Sequence, residues 1–144
     1  KKPGKQMLGM PIFSLADGDK IGDVHSVVYS AREGRLLYVT MQQGGGLFSG
    51  GRTLKLNVAD FHSLGEDAIT LKDASPLIEI DRDIKDVENE AGEDILGKRL
   101  MTDDGSFLGS IVDVLIDRHS RKLVAYELSG GLWSDLSKGQ TDIP

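Results

Sequence analysis

Cysteine is absent from the 144 residues, and with it go thiol catalysis, cysteine-ligated zinc and any disulfide framework. Long apolar runs are missing too. The longest, such as Leu36-Leu37-Tyr38-Val39, stop at four residues, far short of the ~18 to 20 that a spanning helix needs. Membrane insertion is therefore not expected, and a cytoplasmic location is the default expectation. Aromatic residues make up only 6% of the chain, with Trp133 the sole tryptophan, and prolines number four. Lys1 stands where an initiator Met would, and no signal peptide follows, so a chain trimmed from a longer one is expected. What is present is ordinary: 39% hydrophobic and 28% charged residues exclude a disordered or fibrous chain and predict a soluble globular fold.

Charge is unevenly spread. The formal total is −6, and residues 75 to 94 alone hold eight acidic side chains against two basic ones. Basic side chains cluster only at Lys1, Lys2 and Lys5, a short tail expected to be solvated. Nucleic-acid binding by charge is disfavoured, since such proteins present a broad basic face that releases counterions.

The chain repeats itself. Leu8-Gly9 returns as Leu96-Gly97, Ile12-Phe13-Ser14 as Leu100-Met101-Thr102, and Asp17 to Gly22 as Asp104 to Gly109. The offset falls from 88 to 87 across one extra residue in the first copy. It then holds through Val24/Ile111, Val27-Val28/Val114-Leu115, Leu36-Leu37/Leu123-Val124 and Met41/Leu128. Gly45-Gly46-Leu47-Phe48-Ser49 matches Gly130-Gly131-Leu132-Trp133-Ser134, and Gly139-Gln140-Thr141 is aligned with Gly51-Arg52-Thr53.

Each copy reads as β-structure. Asp17-Gly18 and Asp104-Gly105 sit between apolar runs, where Asp-Gly favours a hairpin because the turn needs positive φ. Lys20 to Ser30, Arg35 to Gln42, Arg52 to Val58 and Ala68 to Lys72 are rich in strand-forming residues. Leu54, Leu56 and Val58 alternate with Lys55 and Asn57, predicting one buried face. Five or six short strands without a helical period suggest one small barrel per copy. Between the copies, Leu77, Ile80, Ile84, Val87 and Ala91 fall on one helical stripe, with Ser75 as N-cap, Pro76 at the first position and Gly92 as the stop. The domains expected are 7–74, an acidic helical linker at 75–94, and 95–144.

Catalytic and metal motifs do not assemble. His25, His62 and His119 are far apart in sequence and form no zinc spacing. Gly46 to Thr53 approaches the phosphate-loop pattern, but Arg52 replaces its Lys and a strand follows in place of a helix. Asp81, Asp83 and Asp86 lack the glycine and glutamate of a calcium loop. A small hydrolase using Asp17 and Asp104 is the weakest reading, because both aspartates already have a turn role. No enzyme, cofactor or metal is expected. The repeated Gly-rich loops are the exception worth a role: Leu47, Phe48, Leu132 and Trp133 either plug the barrels or anchor a partner, since aromatics bury much area at low entropic cost.

The succession Leu-Gly, Asp-Gly-x-x-Ile/Leu-Gly-x-Val/Ile and two apolar strands resembles the PRC-barrel family. Leu8-Gly9, Asp17 to Val28 and Leu36 to Met41 carry it in the first copy, and Leu96-Gly97, Asp104 to Asp117 and Leu123 to Leu128 in the second. Its turn and core positions include Gly9, Asp17, Gly18, Gly22, Gly97, Asp104, Gly105 and Gly109. The family takes its name from the cytoplasmic part of the photosynthetic reaction-centre H subunit and includes the C-terminal domain of a ribosome maturation factor. The resemblance implies a mainly β protein of two tandem PRC-barrel-like barrels joined by an amphipathic helical linker. It implies a non-enzymatic module that binds a protein partner or assembles as a homo-oligomer. A ribosome-maturation or RNA-processing accessory is the alternative, although that factor's extra N-terminal domain has no counterpart here. Two departures stand out: no membrane segment like that of the H subunit is present, and the second copy has no equivalent of the strand containing Ile69 and Leu71. A unit of ~60 to 70 residues is marginal alone, so the two are expected to pack together or on a partner.

Overall fold

The computed structural model describes residues 1–43, 52–80, 95–131 and 133–135. The first copy supplies β2 (Pro11–Ser14), β3 (Lys20–Ser30), β4 (Arg35–Gln43), β5 (Arg52–Asn57), β6 (Ser63–Leu64), β7 (Ile69–Leu71) and β8 (Ile78–Ile80). They form one seven-stranded sheet in the order β6-β7-β2-β3-β4-β5-β8. The second copy supplies β9 (Arg99–Met101), β10 (Phe107–Ile116), β11 (Leu123–Leu128) and β12 (Trp133–Asp135). Its sheet runs β10-β11-β12 with β9 also on β10, and takes its fifth strand, β1 (Lys2–Pro3), from the start of the chain.

The duplication holds residue by residue. Ile12 pairs with Gly22 and Phe13 with Lys20; Leu100 pairs with Gly109 and Met101 with Phe107, with the same one-residue bulge in both hairpins. Val24↔Met41 and Ser26↔Thr40 recur as Ile111↔Leu128 and Asp113↔Glu127, and Tyr29↔Leu36 recurs as Ile116↔Leu123, again with bulges at matching places. Bulges bend a strand and raise its twist, so equal placement gives both sheets the same curl. The extra residue of the first copy lies in the turn before β3, where Ser14 N–H bonds Asp19 O across four residues; Thr102 N–H reaches Ser106 O across three. The expected alternation in β5 holds, with Leu54 and Leu56 buried between partly exposed Thr53, Lys55 and Asn57.

Four expectations are corrected. Residues 78–80, expected within the helical linker, are strand β8, which adds Ile78–Ile80 to the edge of β5; residues 81–94, with Ile84, Val87 and Ala91 of the expected stripe, lie outside the described residues. The apolar-acidic-apolar triplet Ile78-Glu79-Ile80 satisfies period two as well as period 3.6, and an open sheet edge decides the matter. Among the described residues no pairing joins β6 to β8, so the first sheet is seen as open and not as a closed barrel. Trp133 is matched not to Phe48 but to Lys55: Glu127↔Trp133 repeats Thr40↔Lys55. The glycine-rich similarity drew the alignment to the loops, whereas the second hairpin is nine residues shorter, with five residues between Glu127 and Trp133 against fourteen between Thr40 and Lys55. Lys2 is not solvated; it is 8% exposed, and its Nζ donates to Glu66 O at 2.7 Å. Among the described residues no helix is long and apolar enough to cross a membrane.

The copies share one core. Ile12, Leu36, Val39, Leu56, Ile69 and Leu71 pack in a single cluster with Ile95, Val114, Ile116 and Leu128. At the hairpin tips, Leu36 N–H donates to Arg121 O (3.0 Å) and Leu123 N–H to Gly34 O (2.9 Å), around an Arg35↔Lys122 bridge. These two bonds exchange under the 87-residue offset, so the copies meet as a homodimer would, across a local two-fold axis. Arg121 holds φ 62° where its twin Gly34 holds 65°. The unfavourable conformation of a non-glycine residue is accompanied here by its guanidinium lying 5.9 Å over the Phe61 ring of the other copy.

A second junction involves the start of the chain. Gly4 packs so closely that a Cβ there would stand 1.9 Å from the Tyr29 hydroxyl and 2.9 Å from Val114 Cγ2. Asp113, 4% exposed, accepts from Lys5 N–H (3.2 Å) and Val114 N–H (2.8 Å) through Oδ1. Burial, and secondarily the Asp113 charge, push the Tyr29 hydroxyl well above its ordinary 10.0. An unfolded chain releases that proton near pH 10, whereas the folded chain retains it. The associated stability is thus intact below pH 10 and lost as pH rises toward the folded value. In an ultraviolet titration, the Tyr29 phenolate is expected only with unfolding, and Tyr29→Phe is expected to flatten the alkaline fall in stability. A reversible phenolate signal from Tyr29 in the folded protein would contradict this.

Candidate functional site

The β9–β10 hairpin is where the second copy departs from the first. Its turn is set locally: Asp104 accepts from the Thr102 hydroxyl and, at 3.3 Å, from Ser106 N–H, while Gly105 takes φ 88°. Those bonds, that to Thr102 foremost, hold the exposed Asp104 carboxyl below its ordinary range. Met101 and Phe107 then face each other across the strands, 50% and 58% exposed, with the Arg99 guanidinium 5.9 Å from the Phe107 ring. In the twin hairpin the matching pair is Phe13, partly buried, and Lys20, exposed and ion-paired with Asp23 at 2.9 Å.

The neighbouring edge differs more. In the first copy β2 is covered by β7, which runs parallel with Ile12↔Ile69, Phe13↔Thr70 and Ser14↔Leu71. Ile12, Ile69 and Leu71 are all 0% exposed as a result. Among the described residues β9 pairs only with β10, leaving its outer edge open. Leu100, the counterpart of Ile12, is accordingly only partly buried. Leu96 is 39% exposed, less than its counterpart Leu8 at 51%. An edge with unpaired backbone groups beside apolar side chains is a ready template for another strand.

Other predicted positions fall elsewhere. Leu47, Phe48 and Leu132 lie outside the described residues, and Trp133 is described only as part of β12. Gly9, Gly18, Gly97, Gly105 and Gly109 all adopt positive φ. Gly109 is the most constrained of them: at φ 147° a Cβ would also stand 3.3 Å from Leu128 Cβ. Gly22 instead needs its missing side chain for room, since a Cβ would approach Met41 Sδ to 2.9 Å. Asp17 accepts from Asp19 N–H at 3.0 Å, so it and Asp104 each serve a separate turn. His25, His62 and His119 are exposed. Among the described residues no three His, Asp or Glu side chains come together as a metal would require.

A protein-family model described as the PRC-barrel domain matches this chain twice, over residues 3–77 and 88–142. The chain belongs to the PRC-barrel family. Among curated proteins, none matches the sequence. In this tandem PRC-barrel protein the first hairpin is covered by β7, and among the described residues no strand covers the second. The sequence shows no counterpart of Ile69 and Leu71 in the second copy, and among the described residues no strand stands beside β9 as β7 stands beside β2. Sequence reasoning overlooked Met101 and Phe107, although the replacement of Lys20 by Phe107 at a matching strand position was a visible signal.

Proposed function

We propose that the chain is a non-catalytic binding and assembly module whose partner is a protein segment docking on the β9–β10 hairpin. The observation that supports it best is the contrast between twins: Met101 and Phe107 are half exposed beside an open strand, where the first copy has a covered edge. Apolar surface left at an edge gains free energy when covered, at about 25 cal/mol per Å², and a strand edge supplies backbone bonds that fix direction. The Asp-Gly turns offer no catalytic pairing, because each aspartate is engaged by its own turn. A cytoplasmic setting is part of this reading, compatible with the lack of cysteine.

A photoreactive residue placed at position 101 in native cells tests the reading, with position 20 of the twin hairpin as control. Polypeptide adducts are expected at 101 and not at 20. Equal yields at both positions, adducts with RNA only, or none at all would overturn it.

A further inference from the structure

The open edge of β9 has a charge order that selects its occupant. Lys98 and Arg99 lead into the strand, Leu100, Met101 and Thr102 are uncharged, and Asp103 and Asp104 follow. Lys98, Arg99, Asp103 and Asp104 are all exposed. This order is self-complementary only when read backwards. A second β9 laid antiparallel brings the basic end of each strand to the acidic end of the other, whereas a parallel one sets like charge beside like. Opposite-charge pairs across strands stabilise a sheet and like charges oppose it. Resting on the binding reading given above, we propose that the β9 edge takes a second copy of this chain, the two strands antiparallel about a two-fold axis.

Such an arrangement is isologous, so both open edges are consumed and the assembly closes as a dimer. Met101 and Phe107 of each copy lie beside the axis and lose water together. Partly buried Leu100 acquires on its outer side the neighbour that Ile12 already has in β7. The local two-fold contact at the hairpin tips does not compete, because Gly34, Leu36, Arg121 and Leu123 already bond one another within the chain.

Light scattering during size exclusion, run on the full chain over a concentration series, tests the proposal. The native chain is expected to reach twice its 15.6 kDa mass. Arg99→Glu alone and Asp103→Lys alone are each expected to weaken the dimer about tenfold or more, since like charges then face each other. Mixing the two variants in equal amounts is expected to restore pairing, because the acidic strand of one meets the basic strand of the other. A merely structural role for either residue gives no such rescue. Asp103 is chosen over Asp104, whose carboxylate holds the turn; Lys98→Glu repeats the experiment should Arg99→Glu fail to fold. A native chain that stays monomeric throughout, variants that dimerise as the native chain does, or a mixture that fails to pair would each overturn the proposal. Adducts at position 101 with a different polypeptide, from a chain that remains monomeric, would sink self-pairing and leave the binding reading standing.

Discussion

Leu36→Ala is expected to lower the unfolding free energy by about 2–5 kcal/mol, the range for emptying a fully buried leucine site. Leu36 is 0% exposed in the cluster that both copies share, and its backbone N–H forms one of the two reciprocal bonds between them. Its cavity therefore opens at the place where the halves are fastened. A single denaturant transition is expected in both native and variant protein, shifted to lower midpoint in the variant with little change in slope. Two resolved transitions in the native chain would mean that the copies fold independently despite the common cluster. The twin substitution Leu123→Ala removes a leucine that is 6% exposed at the matching position, and an effect of the same sign is expected.

The second large effect is expected at Gly4. A Val side chain there must displace either the buried Tyr29 ring or the Gly4–Met7 turn, which is of 3-10 type. Overpacking of this sort costs about 3 kcal/mol at its upper end. Tyr29 lies within the core, so lifting the turn is the expected response. Lys5 N–H then leaves Asp113, and Met7, 0% exposed, returns to water. Thermal unfolding reads the loss, and hydrogen exchange at the amides of residues 5–10 reads its place. Combining Gly4→Ala with Tyr29→Phe, which removes the atom a Cβ would strike first, is expected to cost less than the sum of the two changes. Strict additivity would show that the clash is relieved some other way.

How far the sequence could be read depended on the range of the forces involved. Strands with alternating or continuous apolar residues, such as Lys20–Ser30 and Arg52–Asn57, announced themselves because their burial follows a local period. The Asp-Gly turns were equally legible, since their requirement for positive φ is met within four residues. Ile78–Ile80 was not, because a triplet fits a helix or a strand and the edge of β5 makes the choice. Trp133 was misaligned because glycine-rich segments match one another on composition while the pairing partner of Glu127 sets its true position. Lys2 is buried with its Nζ on Glu66 O, 64 residues away, whereas Arg121 at positive φ closes a local turn, its N–H donating to Asp117 O at 2.7 Å, and was signalled by its alignment with Gly34. The burial of Lys2 has no local signature.

The reciprocal bonds at the hairpin tips have a further meaning. A pair of identical subunits meeting in this way must carry every substitution twice, once on each side. Joined in one polypeptide, the two sides are released from that obligation: Gly34 can remain glycine while its mate becomes Arg121, and Ser26–Thr40 can face each other as hydroxyls while Asp113 and Glu127 stand at the matching sites. Within one polypeptide, then, β2 can lie under β7 in one half while, among the described residues, its mate β9 has no such neighbour in the other.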